Sequence, residues 1–179
     1  MRIYLAGPEV FLSDAAEIGV RKKQICAVHG FEGVYPFDEP LPVGSVTDVG
    51  HRIFDNCVAM MDRCDLAIAN MTPWRGISMD VGTAVEVGYM HAQGKPVFGY
   101  TNVAADYTER CDDDGCDIEA FGFHDNLMCE GPVWHSGGAV VRRDVAPDAR
   151  FTDLTAFEEC VKQARRQADA ENAANHATR

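Results

Sequence analysis

The sequence predicts an α/β fold, a parallel sheet with helices packed on both faces. Two observations predict it. Short apolar runs that read as buried strands alternate along the chain with stretches of helical periodicity. The chain has 179 residues, one domain's length with enough material for a sizeable core, and it shows no internal repeat.

Each element has its own justification. Ile3 to Ala6 is an apolar run ended by Gly7-Pro8, a strand followed by a turn. Ser13 or Asp14 can cap a helix that runs to about His29 and is closed by Gly30. Phe31 to Phe37, containing Gly33-Val34-Tyr35, gives a second strand, and Pro36, Pro40 and Pro42 mark a loop. From Asp48, the apolar positions Ile53, Cys57, Met60, Met61 and Cys64 follow helical spacing. Leu66 to Ala69 is the third strand and Asn70 to Val81 a loop. Thr83 to Gln93 is a helix stopped by Gly94, with Pro96 beyond it, before a fourth strand at Val97 to Tyr100. Thr101 to Gly138 is long and polar and receives no regular structure; loops of such length are functional or disordered. Ala139 to Val141 is the fifth candidate strand. Phe151 to Ala168 closes the chain as an amphipathic helix on Leu154, Phe157, Val161 and Ala164. The domain is expected to span residues 1–170, with 171–179 a frayed tail.

Composition narrows the partners. A net charge of −12 argues against a nucleic-acid polymer, whose phosphates are held by Lys and Arg, but is compatible with a small neutral ligand such as a nucleoside. No apolar run is long enough for a membrane span, and the first residues are too short for a secretory signal. Seven cysteines, an odd number without a compact framework, are expected as reduced thiols in a cytoplasmic protein. Cys111 and Cys116 flank three aspartates, but the spacing is not a zinc pattern, so no metal and no cofactor are expected.

In a parallel α/β sheet, ligands bind beyond the carboxyl ends of the strands. The turns after strands one, three and four are therefore the expected site: Gly7-Pro8-Glu9, Asn70 to Asp80, and Asn102 onward. The first is not a dinucleotide fingerprint, because Pro8 removes a donor and Glu9 adds a negative charge, which weighs against an anionic phosphate. Phe11, just past the strand end, either stacks on a base or packs in the core.

Glu86 stands out. It lies alone in Gly82-Thr83-Ala84-Val85-Glu86-Val87-Gly88-Tyr89-Met90, where a helix packing on a sheet has no structural use for a carboxylate. An unpaired buried carboxylate costs several kcal/mol or raises its pKa, so Glu86 either escapes to solvent or lines a site. Six residues earlier stands Asp80. Residues six apart on one helix face different ways, so the two acids converge only if Asp80 precedes the helix; otherwise Asp80 is simply a cap. Paired acids of this kind serve bond cleavage at a sugar's anomeric carbon. Tyr4 interrupts an otherwise apolar strand, and its buried hydroxyl needs a partner, such as a carboxylate it orients.

Taken in order, several segments resemble the nucleoside 2-deoxyribosyltransferase family. They are Ile3-Tyr4-Leu5-Ala6-Gly7-Pro8 with Phe11, Cys64-Asp65-Leu66-Ala67-Ile68-Ala69-Asn70, and Thr72-Pro73-Trp74-Arg75-Gly76, which is similar to a Ser/Thr-Pro-Phe-Arg-Gly loop. Then come Asp80-Val81-Gly82-Thr83-Ala84-Val85-Glu86-Val87-Gly88, the most specific piece, and Phe121-Gly122-Phe123 leading to Asn126-Leu127-Met128. The resemblance covers roughly Met1 to Gly131. It implies a flavodoxin-like (Rossmann-like) three-layer sandwich with a five-stranded parallel sheet. It implies that Glu86 is the nucleophile at C1′, that Asp80 handles the base and its proton, and that Tyr4 orients the nucleophile. Gly7, Phe11, Trp74, Arg75 and Gly76 become substrate-binding residues. Asn126, with Met128 beside it, is given to the 5′-hydroxyl in a neighbouring subunit's site of a homo-oligomer, a dimer or hexamer.

The implied activity exchanges the base of 2′-deoxyribonucleosides through a deoxyribosyl-glutamate intermediate, with retention of configuration. Two departures qualify it. Cys57, with Asn56 next to it, stands where many members carry Asp or Asn, and Trp74 stands where Phe is commoner. The alternatives are a hydrolase of 2′-deoxynucleoside 5′-monophosphates and a non-catalytic nucleotide-binding domain.

Overall fold

A computed structural model describes residues 1–40 and 42–177, the last three by backbone alone. Five strands form one parallel sheet: β1 (Arg2–Ala6), β2 (Glu32–Val34), β3 (Leu66–Asn70), β4 (Val97–Thr101) and β5 (Val141–Arg142), in the order β2-β1-β3-β4-β5. Six helices connect and cover them: α1 (Ala15–Val28), α2 (Val46–Asp62), α3 (Val81–Ala92), α4 (Tyr107–Arg110), α5 (Leu127–His135) and α6 (Thr155–Ala177). This is the flavodoxin-like three-layer arrangement. The chain leaves β1 toward one edge and returns to build the other side from β3, so the topological switch point lies between β1 and β3.

Strand alternation divides the core in two. Ile3, Leu5, Leu66, Ile68, Phe98 and Tyr100 face α1 and α6, where Ile18, Cys26, Phe157 and Val161 meet them. Tyr4, Ala6, Ala67, Ala69 and Val97 face the other layer, meeting Met60, Met61, Val87, Met90 and Val133 of α2, α3 and α5. That parity puts the Tyr4 ring on the α2–α3 side. Gly99 is required by close approach, since a Cβ there would lie 2.5 Å from Met71 Sδ and 3.0 Å from Val133.

The expected strands appear within a residue or two of their predicted ends, except that β2 stops at Val34 rather than Phe37, because Pro36 opens a 3-10 turn over Pro36–Asp38. The helices depart more. Helix α2 begins at Val46, because Ser45 accepts from the backbone amide of Asp48. Helix α3 begins at Val81, two residues before Thr83, because Asp80 is its N-cap. Helix α6 starts at Thr155 and continues to Ala177 rather than stopping at Ala168; of the expected frayed tail, residues 178 and 179 lie outside the described residues. The unassigned segment from Thr101 to Gly138 contains α4 and α5. Among the described residues, no helix is long and apolar enough to cross a membrane.

Candidate active site

A cavity of about 310 Å³ opens at the carboxyl ends of the strands, on the α2–α3 side of the switch point. Its walls come from the turn after β1 (Gly7, Val10, Phe11), the segment after β2 (Pro36, Phe37, Glu39, Pro40, Pro42), α2 (Ile53, Asn56, Cys57), and the head of α3 (Asp80, Gly82, Thr83, Glu86). Two parts of this differ from expectation. The turn after β4 does not line the cavity: Asn102 is spent on structure, taking its backbone amide to Thr72 Oγ1 at 3.0 Å and its side-chain amide to the carbonyls of Arg150 and Asp153. In its place stand the proline-rich segment after β2 and one face of α2. The second strand is hydrogen-bonded to β1, and that pairing brings its outgoing loop over the first turn.

Glu86 is half-buried, with its carboxylate in the cavity. The hydroxyl of Tyr4, fully buried on β1, donates to Glu86 Oε1 at 2.6 Å. Burial raises the Glu86 carboxyl to about 7; the Tyr4 hydrogen bond works against that rise, while the negative charges of Asp80 and Glu9 add to it. Tyr4 itself is pushed up by burial and by the neighbouring carboxylate, so it stays a protonated donor. Cys57 lies beside the Tyr4 hydroxyl, and burial, then the Glu86 charge, push its thiol up as well.

Asp80 is both cap and cavity residue. One oxygen, Oδ2, accepts from the backbone amide of Thr83 at 3.0 Å and from its hydroxyl at 3.2 Å, which fixes the carboxylate at the helix head. The two acids meet the same space because Asp80 precedes the first turn of α3 and Glu86 faces inward from its second.

Phe11 is 55% exposed, so it is not core; it forms a lip of the cavity and stacks on Trp74 with ring centroids 5.9 Å apart. Arg75 lies over both rings, 5.4 Å from Phe11 and 5.2 Å from Trp74, on a backbone with φ of 54°. Trp74, Arg75 and Gly76 thus support or flank the lip without lining the cavity, and Gly76 is exposed. Trp74 Nε1 is buried with no hydrogen-bond partner among the described residues.

Asn126 and Met128 are not brought to Glu86 within this chain. Asn126 caps α5, accepting from the amide of Met128 and donating to Glu119 at 2.9 Å, and Met128 is exposed.

Glu9, expected to add a negative charge at the first turn against an anionic phosphate, is placed differently. It is fully buried beneath the first turn and paired with Lys22 at 2.6 Å, so it does not present its charge to a ligand at the surface of that turn.

Sequence reasoning also missed the polar network that anchors the segment before α5. Asp125 accepts from Ser78 Oγ at 2.8 Å and from the backbone amide of Met79 at 2.7 Å, tying that segment to the loop that carries Asp80. His124 is enclosed next to it, with Nε2 3.0 Å from the Met71 carbonyl and Nδ1 3.1 Å from Arg110. A carbonyl only accepts and a guanidinium only donates, so the ring is neutral with its proton on Nε2. Burial holds His124 down at about 4, in agreement.

The fold and this cavity define a class: a flavodoxin-like α/β protein whose switch-point cavity carries a tyrosine-held carboxylate beside a second acid. A profile of the nucleoside 2-deoxyribosyltransferase family matches residues 3–128. The chain belongs to the nucleoside 2-deoxyribosyltransferase family. It is 36% identical to an uncharacterised protein of Schizosaccharomyces pombe, over 77% of this chain and 79% of that one. It is similar in structure to a 2-desoxiribosyltransferase from Leishmania mexicana (TM-score 0.65, 29% identity, 86% of this chain and 95% of the other). It shares the fold of a 2-deoxyribosyltransferase from Bacillus psychrosaccharolyticus (TM-score 0.51, 21% identity, 74% and 82% covered).

Proposed function

We propose that this protein is a nucleoside 2-deoxyribosyltransferase, exchanging the base of 2′-deoxyribonucleosides through a covalent intermediate on Glu86. The observation that carries the reading is the Tyr4–Glu86 hydrogen bond in the switch-point cavity. Tyr4 holds one carboxylate oxygen and leaves the other to attack. Glu86 attacks C1′ in its ionised form as the bond to the base breaks, giving a deoxyribosyl ester of the side chain with inverted configuration. The leaving base takes a proton as it departs, and Asp80 is placed to handle it with the oxygen not engaged by Thr83. A second base then attacks C1′ from the vacated side and expels Glu86, so two inversions give retention.

The apolar wall of Pro36, Phe37, Pro40 and Ile53 suits the flat faces of a base. Asn126 and Met128, distant from Glu86 in their own chain, are assigned to the sugar's 5′ end in a neighbouring copy's site, and the protein to a cytoplasmic role in nucleoside salvage.

The charge of the cavity favours nucleosides over their monophosphates. Three carboxylates (Glu39, Asp80, Glu86) line it, and no Lys, Arg or His does so among the described residues. The decisive experiment incubates the protein with deoxyinosine and adenine and looks for deoxyadenosine, with mass spectrometry of the protein for one deoxyribosyl adduct on Glu86. Release of free deoxyribose phosphate from a monophosphate, with no base exchange, would establish the hydrolase instead. An adduct on another residue would overturn the assignment of Glu86.

A further inference from the structure

A complete charged pair is buried under the cavity. Glu9 and Lys22 are both 0% exposed, with Lys22 Nζ 2.6 Å from Glu9 Oε1. The same oxygen accepts from Asn70 Nδ2 at 2.8 Å and from the Tyr100 hydroxyl at 2.9 Å. The Lys22 ammonium also lies over the rings of Tyr100 and Phe157, at 5.6 and 5.2 Å. Four elements therefore converge on one carboxylate: the turn after β1, α1, the end of β3 and β4.

Stability alone does not call for such a pair, because well-packed apolar residues of similar volume are often as stable or more so. Its place is informative. A Cβ on Gly7 would lie 2.0 Å from Glu9 Oε2, so this oxygen packs against the backbone of a residue that lines the cavity. Oε2 has no hydrogen-bond partner among the described residues, so its charge is only partly compensated.

We propose that Glu9, with Lys22 as its fixed counter-charge, is a positioning residue for Glu86: it braces the turn that floors the cavity and supplies a standing negative charge behind the reactive carboxylate. The inference rests on the reading of Glu86 as nucleophile. The other groups facing Glu86 are Tyr4 from β1, Cys57 from α2, Asp80 at the head of α3, and Glu39 across the cavity, which is held by Arg63 at 2.8 Å. Glu9 lies behind the cavity wall, against Gly7, and its charge acts in the direction that keeps Glu86 basic.

The test is Glu9→Gln, which keeps an oxygen for Asn70 and Tyr100 but removes the charge. Whether Lys22 then stays charged or loses its proton, the negative charge behind Glu86 is gone. Carbon-13 NMR of protein labelled at the glutamate carboxyls, with Glu86 assigned by the signal missing in Glu86→Gln, reads the effect directly. The Glu86 titration should move down by roughly half a pH unit or more, and the ascending limb of kcat/KM for base exchange should move with it. The double variant Glu9→Gln/Lys22→Met removes the pair together, leaves no unpaired charge, and should show a smaller movement in the same downward direction if Glu9→Gln alone does not fold. An unchanged Glu86 titration in these variants would overturn the proposal and leave Glu9 a structural brace. A shifted titration in these variants, together with a wild-type protein that shows no base exchange, would instead sink the transferase reading while the electrostatic assignment stands.

Discussion

Replacing Glu86 by Gln should abolish transfer and, above neutral pH, make the protein more stable. The Glu86 carboxyl is raised from 4.5 to about 7. A carboxyl that binds its proton more tightly folded than unfolded contributes stability in acid and loses it as pH rises through the folded value. Below about pH 4.5 both states are protonated and the side chain is neutral in either. Between 4.5 and 7 the folded state retains a proton that the unfolded state has shed, so stability falls along this window. Above 7 the folded protein carries an ionised, poorly solvated carboxylate. At about 1.4 kcal/mol for each pH unit of that window the full penalty is about 3 kcal/mol. Glu86 is half-buried and faces an open cavity, so water screens part of this, and about 1–3 kcal/mol is expected. Glutamine has the same shape, offers Oε1 to the Tyr4 hydroxyl, and never ionises.

The assay is urea denaturation of wild type and Glu86→Gln at pH 5 and pH 8. The two should be close in stability at pH 5, with the variant ahead by about 1–3 kcal/mol at pH 8. Because both proteins share every other titrating group, the difference isolates this one. A variant that gains nothing between pH 5 and pH 8 would show that Glu86 is not held at a cost, and the description of the cavity would fail. The same substitution should leave no base exchange, the trade of activity for stability expected where a site stores an unfavourable charge.

Other perturbations probe neighbouring parts. The kcat/KM for exchange should rise with pH along a limb near 7; Tyr4→Phe removes the bond that favours ionised Glu86, so the limb should move to higher pH and the rate fall roughly 10–100-fold. His124 is neutral in the fold and held at about 4, so stability should be lost as pH falls from 6.5 to 4, by up to about 3 kcal/mol; His124→Gln, measured by denaturation across that range, should be weaker at pH 7 but flatter in acid. Inactive Glu86→Ala and Asn126→Ala proteins, each correctly assembled, should regain exchange activity when refolded together; a mixture that exchanges subunits and stays inactive would remove Asn126 from the neighbour's site.

The contact at the centre of the candidate site was legible in the sequence because each partner is a polar group that breaks an apolar pattern. Tyr4 in a buried strand and Glu86 in an apolar helix both needed partners, and in the fold Tyr4 bonds Glu86. The α/β class and the expected strands followed from periodicity, since strands buried on both faces leave continuous apolar runs. The order of strands carries no such local mark. With β2 beside β1, Pro36, Phe37, Glu39, Pro40 and Pro42 become a wall of the cavity, although nothing in their sequence announces a ligand; on the Ile53–Cys57 face of α2, another wall, only the resemblance at Cys57 points to the site. The network of Arg110, His124 and Asp125 was invisible for a related reason: a polar segment whose side chains satisfy one another inside the fold looks, residue by residue, like a solvated loop.

Glu9 and Lys22 mark where the same reasoning would have gone further. Lys22 falls at four-residue spacing between Ile18 and Cys26, on the stripe of α1 that packs into the core. A lysine on that stripe raises the question that Glu86 raised on α3, because neither ammonium nor carboxylate is buried without a partner. From the sequence, Glu9 belongs to the first turn and its charge falls on the ligand side of the sheet. The geometry turns it under Gly7 and toward α1. The switch point therefore carries two polar pairs, Tyr4–Glu86 on the open α2–α3 side and Lys22–Glu9 on the sealed side, with the β1 turn between them. Removal of the Glu9 charge should therefore reach the Glu86 carboxyl, although neither member of the sealed pair lines the cavity.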